Sequence, residues 1–165
     1  MLIRTQPMND QTKDLSESLS ASVFIPSLNA TDKHGILAEI ADSFVAAGKV
    51  KPEHRDSVFA SLAEREGKMS TGMQYGLAIP HAKTDVVDKL ATMVAIAPIG
   101  IDFDSIDKAP AIIFVATLSP RSDANSHIKF LAEVSRQLSN RRTREQLAVA
   151  KTKEEMLVAL CGEPN

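Results

Sequence analysis

Two apolar runs in the middle of the chain, Thr92–Ile99 and Ala111–Leu118, constrain the fold more than any other feature. Neither alternates apolar with polar residues. A run that is apolar throughout suits a strand buried on both faces, and such strands need helices on both sides of their sheet. Helical patterns interleave with these and other strand patterns along the 165 residues, and no internal repeat is visible. The expected architecture is α/β: a single-domain sandwich with a central mixed β-sheet of about four to five strands flanked by helices. The order of the strands is not written in the sequence.

The flanking elements follow from local pattern. Val23–Leu28 reads as an edge strand interrupted by Pro26. Thr31 or Asp32 then caps a helix to about Ala47, whose rows are Ile36, Ile40, Phe44 and Leu37, Ala41, Val45, and Gly48 ends it. Pro52 opens a second helix with Val58, Phe59, Leu62 and Ala63 as its stripe and Gly67 as its stop. After the second apolar run, Asp123 or Asn125 caps a helix from about Ser126 to Leu138. A basic helix over Asn140–Ala150 follows, and a capping box at Thr152–Glu155 opens a last helix through Leu160. Residues 1–20 are polar with scattered charge and read as a flexible N-terminal arm, in which the Leu15 and Leu19 spacing allows one docked turn.

Composition removes several functions. A net charge of −2 leaves no basic surplus, which argues against a nucleic-acid binder that works by neutralising phosphates. The one cysteine, Cys161, provides neither an intrachain disulfide nor a cysteine-based zinc site, and a free thiol fits a reducing compartment. The longest apolar stretch, Leu90–Ile101, contains Pro98 and Gly100 and falls short of the ~20 residues that a bilayer requires. Arg4, Asp10 and Asp14 sit in no apolar block, so the start does not read as a signal peptide. The expectation is a cytoplasmic protein with no direct membrane insertion. Nucleotide-binding glycine loops, a G-x-S-x-G elbow and an H-E-x-x-H motif are all absent. The acidic loop with Asp102, Asp104 and Asp107 lacks the calcium-loop pattern and reads as a solvated turn.

Chemistry concentrates in Ser70–Lys83, which ends Gly76-Leu77-Ala78-Ile79-Pro80-His81-Ala82-Lys83. Leu77–Ile79 suits a short buried strand. Pro80 has no N–H to give a sheet and holds Ile79 extended, so the strand is expected to end there with His81 just past it on a constrained backbone. Of the four histidines, His34 and His54 lie in first turns of helices among polar neighbours and read as surface residues. His127 follows a buried strand at the start of a helix, where amide donors and the helix dipole favour an anion. Two readings of it stay open: a phosphate-site residue, or a buffer between core and solvent. Arg65, upstream of the glycine loop, is either a bidentate phosphate fork or a surface arginine paired with Glu64, Glu66 or Asp56.

These residues match a known pattern. Arg65-Glu66, Ser70-Thr71-Gly72 and Gly76–His81, with Gly100-Ile101-Asp102-Phe103, Leu118-Ser119-Pro120 and His127 ahead of Phe130-Leu131-Ala132, resemble the signature of the enzyme IIA domains of the fructose–mannitol class. These belong to the bacterial phosphoenolpyruvate-dependent phosphotransferase system and include the nitrogen-regulatory IIA proteins. The resemblance implies a IIA domain over residues 21–162. It implies that His81 takes a phosphoryl group from HPr or a paralogue and passes it to a IIB domain. It places Arg65 and His127 at the same site, with Thr71 and its loop adding hydroxyl or amide donors to the phosphate. It implies no cofactor and no metal, since the group passes between histidine or cysteine nucleophiles. One departure stands out: the family often has Asp-Gly before the second buried strand, where this chain has Asp107-Lys108.

Within the resemblance, sugar transport competes with a regulatory role exerted on target proteins according to phosphorylation state. An unphosphorylated interaction module of the same fold is a further alternative, against which intact His81, His127 and Arg65 weigh. A hydrolase using the two histidines as acid and base ranks last, because nothing supplies a bound electrophile.

Overall fold

The elements run in the expected alternation. A computed structural model describes residues 10–162. Its elements are α1 (Asp10–Ser20), β1 (Val23–Ile25), α2 (Lys33–Ala46), a 3-10 turn at Pro52–His54, α3 (Arg55–Lys68), β2 (Leu77–Ala78), β3 (His81–Lys83), β4 (Ala91–Ile101), β5 (Ala111–Ser119), α4 (Ala124–Leu138), α5 (Arg141–Ala148) and α6 (Lys153–Cys161). The two apolar runs form β4 and β5, paired antiparallel at the centre of a mixed five-stranded sheet. Strand β1 pairs parallel with β4 on one side, and β2 and β3 both pair parallel with β5 on the other.

The alternation of side chains along a strand sends neighbours to opposite faces. Met93, Ala95, Phe114 and Leu118 pack under α2 and α3 with Ile36, Ile40, Phe44, Val58 and Leu62. Val94, Ile96, Ile113 and Val115 pack on the other face with Leu19, Phe130, Val134, Leu147 and Met156 from α1, α4, α5 and α6. Both faces are covered, which is why these strands are apolar throughout.

Helix starts follow the caps. Asp32 accepts from the Gly35 amide at 2.7 Å, Asp123 from the Ser126 amide at 3.2 Å, and Asn140 from the Arg142 amide at 2.9 Å. Thr152 accepts from the Glu155 amide at 3.2 Å, while the Glu155 carboxylate reaches one residue past the cap to the Lys151 amide at 2.6 Å. Two boundaries differ from expectation. Pro52 starts a 3-10 turn, with the α-helix beginning at Arg55, and Gly67 lies within α3, which runs to Lys68. The Asp107-Lys108 turn keeps a left-handed residue without glycine: Lys108 has φ 64°, with its N–H on the Ser105 carbonyl at 3.0 Å.

The docked turn expected from Leu15 and Leu19 in the N-terminal arm is part of a longer helix. Asp10–Ser20 is helix, with Leu15 and Leu19 buried against α4 and α6, because two leucines four apart give one apolar stripe to dock. The rest of that arm, residues 1–9, lies outside the described residues. Since Leu19 is fully buried, Leu19→Ala is expected to destabilise the fold by about 2–5 kcal/mol in urea unfolding. A change below about 0.5 kcal/mol, as at a surface position, would mean that α1 does not dock in solution.

Candidate functional site

Pro80 interrupts the edge strand but does not end it. Leu77 and Ala78 of β2 pair with Ile113 and Phe114 of β5, and His81, Ala82 and Lys83 of β3 pair with Thr117, Leu118 and Ser119. The register carries straight across the gap. Pro80 gives no N–H, yet its carbonyl accepts from the Thr117 amide at 3.1 Å, so the chain stays on the sheet. His81 is therefore the first residue of a resumed strand, not a residue past its end.

The His81 ring is held at both nitrogens. Its Nδ1 lies 2.8 Å from the Ile79 carbonyl, and Arg65 Nε donates to its Nε2 at 3.2 Å. A carbonyl only accepts, so this network assigns the ring proton to Nδ1 and leaves the lone pair on Nε2. Arg65 is anchored in turn by Nη1 donating to the Met69 carbonyl at 2.8 Å. Its donors go to His81 and the backbone, and not to Glu64, Glu66 or Asp56.

His127 lies in the first turn of α4, with its ring centroid 4.8 Å from that of His81 and the planes inclined at 39°. Its Nδ1 is 2.7 Å from Thr117 Oγ1. The helix start offers less to an anion than the sequence suggests. Asp123 takes the Ser126 amide with Oδ1 and the Ser126 hydroxyl with Oδ2 at 2.7 Å.

Burial favours the neutral form of both imidazoles. Burial lowers the His81 pKa below 6.5. The Ile79 carbonyl opposes that shift, Arg65 adds to it, Glu66 opposes it, and Lys83 adds to it. Burial pushes His127 further, to about 4, with positive charge at His81 and Lys83 adding to the shift. A cleft of about 420 Å³ opens beside His81, lined also by the cations Arg65, Lys68, Lys83 and Arg121 and by one carboxylate, Glu64. Such a lining favours an anionic group.

The structure brings Arg65, His81 and His127 together and keeps Thr71 apart from them. Thr71 is buried, and its hydroxyl and amide donate to the Glu66 carboxylate at 2.6 and 2.8 Å. Expected at the phosphate, Thr71 instead stands behind the site: its carbonyl accepts from the Ile79 amide at 3.1 Å, and Ile79 holds the His81 ring. Glu66 itself is buried against Lys33 at 3.0 Å. The Glu66 and Thr117 contributions were missed from sequence. Glu66 looked like one more charge at a helix end; Thr117, a hydroxyl inside an apolar strand, was the available signal. Asp102 and Asp107 fold back on their own turns and Asp104 pairs with Lys33 at 3.2 Å, so this loop is tied down, not merely solvated. Among the described residues, no three His, Cys, Asp or Glu side chains are grouped to hold a metal ion. No described helix is long and apolar enough to cross a membrane.

The covered mixed sheet thus carries at its edge two neighbouring histidines, one of them held by Arg65. Residues 17–161 match the family described as phosphoenolpyruvate-dependent sugar phosphotransferase system, EIIA 2, and the chain belongs to that family. The fructose-specific EIIA component of Haloferax volcanii is 38% identical over 122 residues, covering 74% of this chain and 78% of that protein. A nitrogen regulatory protein of Bradyrhizobium diazoefficiens is 26% identical over 150 residues, covering 91% and 96%. Among solved structures, the nitrogen regulatory protein IIA-Ntr from Neisseria meningitidis matches with a TM-score of 0.76 at 23% identity, covering 88% of this chain and 98% of that one. The complex of enzyme IIAMtl with phosphorylated enzyme IIBMtl from Escherichia coli matches at 0.69 and 20%, covering 95% and 99%. At these identities the structural likeness is one of fold.

The depressed His127 pKa has a sign that can be tested. The unfolded chain takes this proton near 6.5 and the native chain only near 4, so acid favours the unfolded state within that window. Unfolding free energy is expected to fall more between pH 7 and pH 5 in the wild type than in His127→Gln. Equal losses would mean that His127 titrates at its ordinary pKa.

Proposed function

We propose that His81 is a phosphoryl acceptor and donor, receiving the group from a phosphohistidine on HPr or a paralogue and passing it to a IIB domain in sugar uptake. The observation that carries this reading is the pinned tautomer: Nδ1–H on the Ile79 carbonyl, and Nε2 unprotonated and accepting from Arg65. The Nε2 lone pair forms the new N–P bond as the donor's N–P bond breaks, and the donor ring keeps that electron pair. The His81 proton stays at Nδ1 throughout. Phosphoryl transfer passes through a loose transition state, so the protein's task is to place charge and donors. Arg65 shifts from Nε2 to the phosphoryl oxygens as the bond forms, and His127 donates to another oxygen. No step calls on a metal or cofactor.

The fructose-specific relative supports the transport role, and the partner class is supported by the related IIAMtl, solved in complex with phosphorylated IIBMtl. The nitrogen regulatory relative, which spans 91% of this chain, favours a second reading in which phosphorylated and unphosphorylated forms act differently on a target protein.

Incubation with phosphoenolpyruvate, enzyme I and HPr is expected to add one acid-labile phosphate by intact-mass spectrometry. His81→Ala should add none while remaining folded, and Arg65→Lys should slow the gain on the order of 10²-fold, as for loss of one transition-state donor. Labelling that survives in His81→Ala would move the acceptor elsewhere. Transfer onward to a fructose-type IIB supports the transport role; a labelled protein that IIB cannot discharge supports the regulatory one.

A further inference from the structure

Thr117 sits at the point where the two histidines meet the sheet. It is the register partner of His81 on β5, and its amide donates to the Pro80 carbonyl that keeps His81 in line. Its side chain is fully buried, and its hydroxyl has one partner, His127 Nδ1 at 2.7 Å. A buried hydroxyl has one hydrogen to place, and leaving it without an acceptor costs about 1–3 kcal/mol. The only acceptor that the described residues offer it is that ring nitrogen. The hydroxyl therefore donates to Nδ1, and the neutral ring carries its proton on Nε2.

We infer that Thr117 is a positioning residue that sets the His127 tautomer, holding Nε2–H as a donor for the group carried by His81. The inference rests on the reading of His81 as phosphoryl acceptor. It explains how two neutral imidazoles, 4.8 Å apart, take different roles. A backbone carbonyl leaves His81 with a bare Nε2, which suits a nucleophile. A buried hydroxyl leaves His127 with a protonated Nε2, which suits a donor to an oxyanion. Among the described residues, no other protein group hydrogen-bonds that second nitrogen. One side chain and one amide of Thr117 thus serve both rings, so the nucleophile and its donor keep a common frame. At metal-bound histidines, where the ring donates to its outer partner instead of accepting from it, such a partner is worth about 10–100-fold in affinity or activity.

The test uses the whole protein with ring-nitrogen NMR as a readout separate from transfer. In the wild type at neutral pH, long-range proton–nitrogen spectra are expected to show His127 protonated at Nε2 and His81 at Nδ1. Thr117→Val keeps the shape but removes the hydroxyl. It is expected to erode the His127 preference, leave the His81 tautomer unchanged and slow phosphorylation about 10–100-fold. Thr117→Ser is expected to restore both. A wild-type His127 protonated at Nδ1 overturns the inference, as does a Thr117→Val protein with unaltered His127 signals and rate. Should Thr117→Val fail to fold, the wild-type spectrum and Thr117→Ser decide alone. Correct tautomers in a wild type that takes no phosphate at His81 would overturn the acceptor reading and leave the role of Thr117 in setting the tautomer intact.

Discussion

The hydrogen bond from His81 Nδ1 to the Ile79 carbonyl is the contact on which the site depends. It decides which ring nitrogen is bare, and its strength comes from a backbone that cannot turn away. Pro80 locks the dihedral between the two residues, and the Thr117 amide grips the Pro80 carbonyl. Behind Ile79 stands a line of partners: its amide on the Thr71 carbonyl, Thr71 on the Glu66 carboxylate, and Glu66 on Lys33. Each group in that line is buried or partly buried, so a broken link would leave an unpaired polar group at real cost. The histidine thus takes its orientation from the fold and not from its own rotamer preference.

Placement at a sheet edge explains how residues from both layers meet. Helix α3 covers one face and α4 the other, and only at the β2–β3 edge can Arg65 and His127 reach the same ring. Partial burial lowers the pKa of both imidazoles and so favours their neutral forms. The cations lining the cleft supply the charge that two neutral rings lack. The uncharged Ile79 carbonyl holds His81 Nδ1, while the charged Arg65 faces Nε2 from the cleft side, where Lys68, Lys83 and Arg121 add further cations.

Much of this was legible beforehand. The apolar runs disclosed a sheet covered on both faces; Asp32, Asp123 and Thr152 marked helix starts; the Ile79-Pro80-His81 mount singled out the histidine. The misreadings share a cause. Gly67 and Pro52 were judged by local propensity, yet α3 starts only at Arg55, after a 3-10 turn, and runs through Gly67 to Lys68. The Leu15 and Leu19 spacing suggested one docked turn, and the docked helix is longer, Asp10–Ser20. Thr71 was placed at the phosphate because its neighbours form the motif, and its hydroxyl proved committed to Glu66.

The sequence by itself determined the element types, the two-sided core, and the proline set directly before His81. Those follow from periodicity, caps and proline geometry, which act across a few neighbouring residues. Only the tertiary structure decided that the strand resumes at His81, that Glu66 pairs with Lys33, and that Thr117 meets His127. A polar side chain can bond whichever complementary group packing delivers, and that choice is made between elements far apart in the chain.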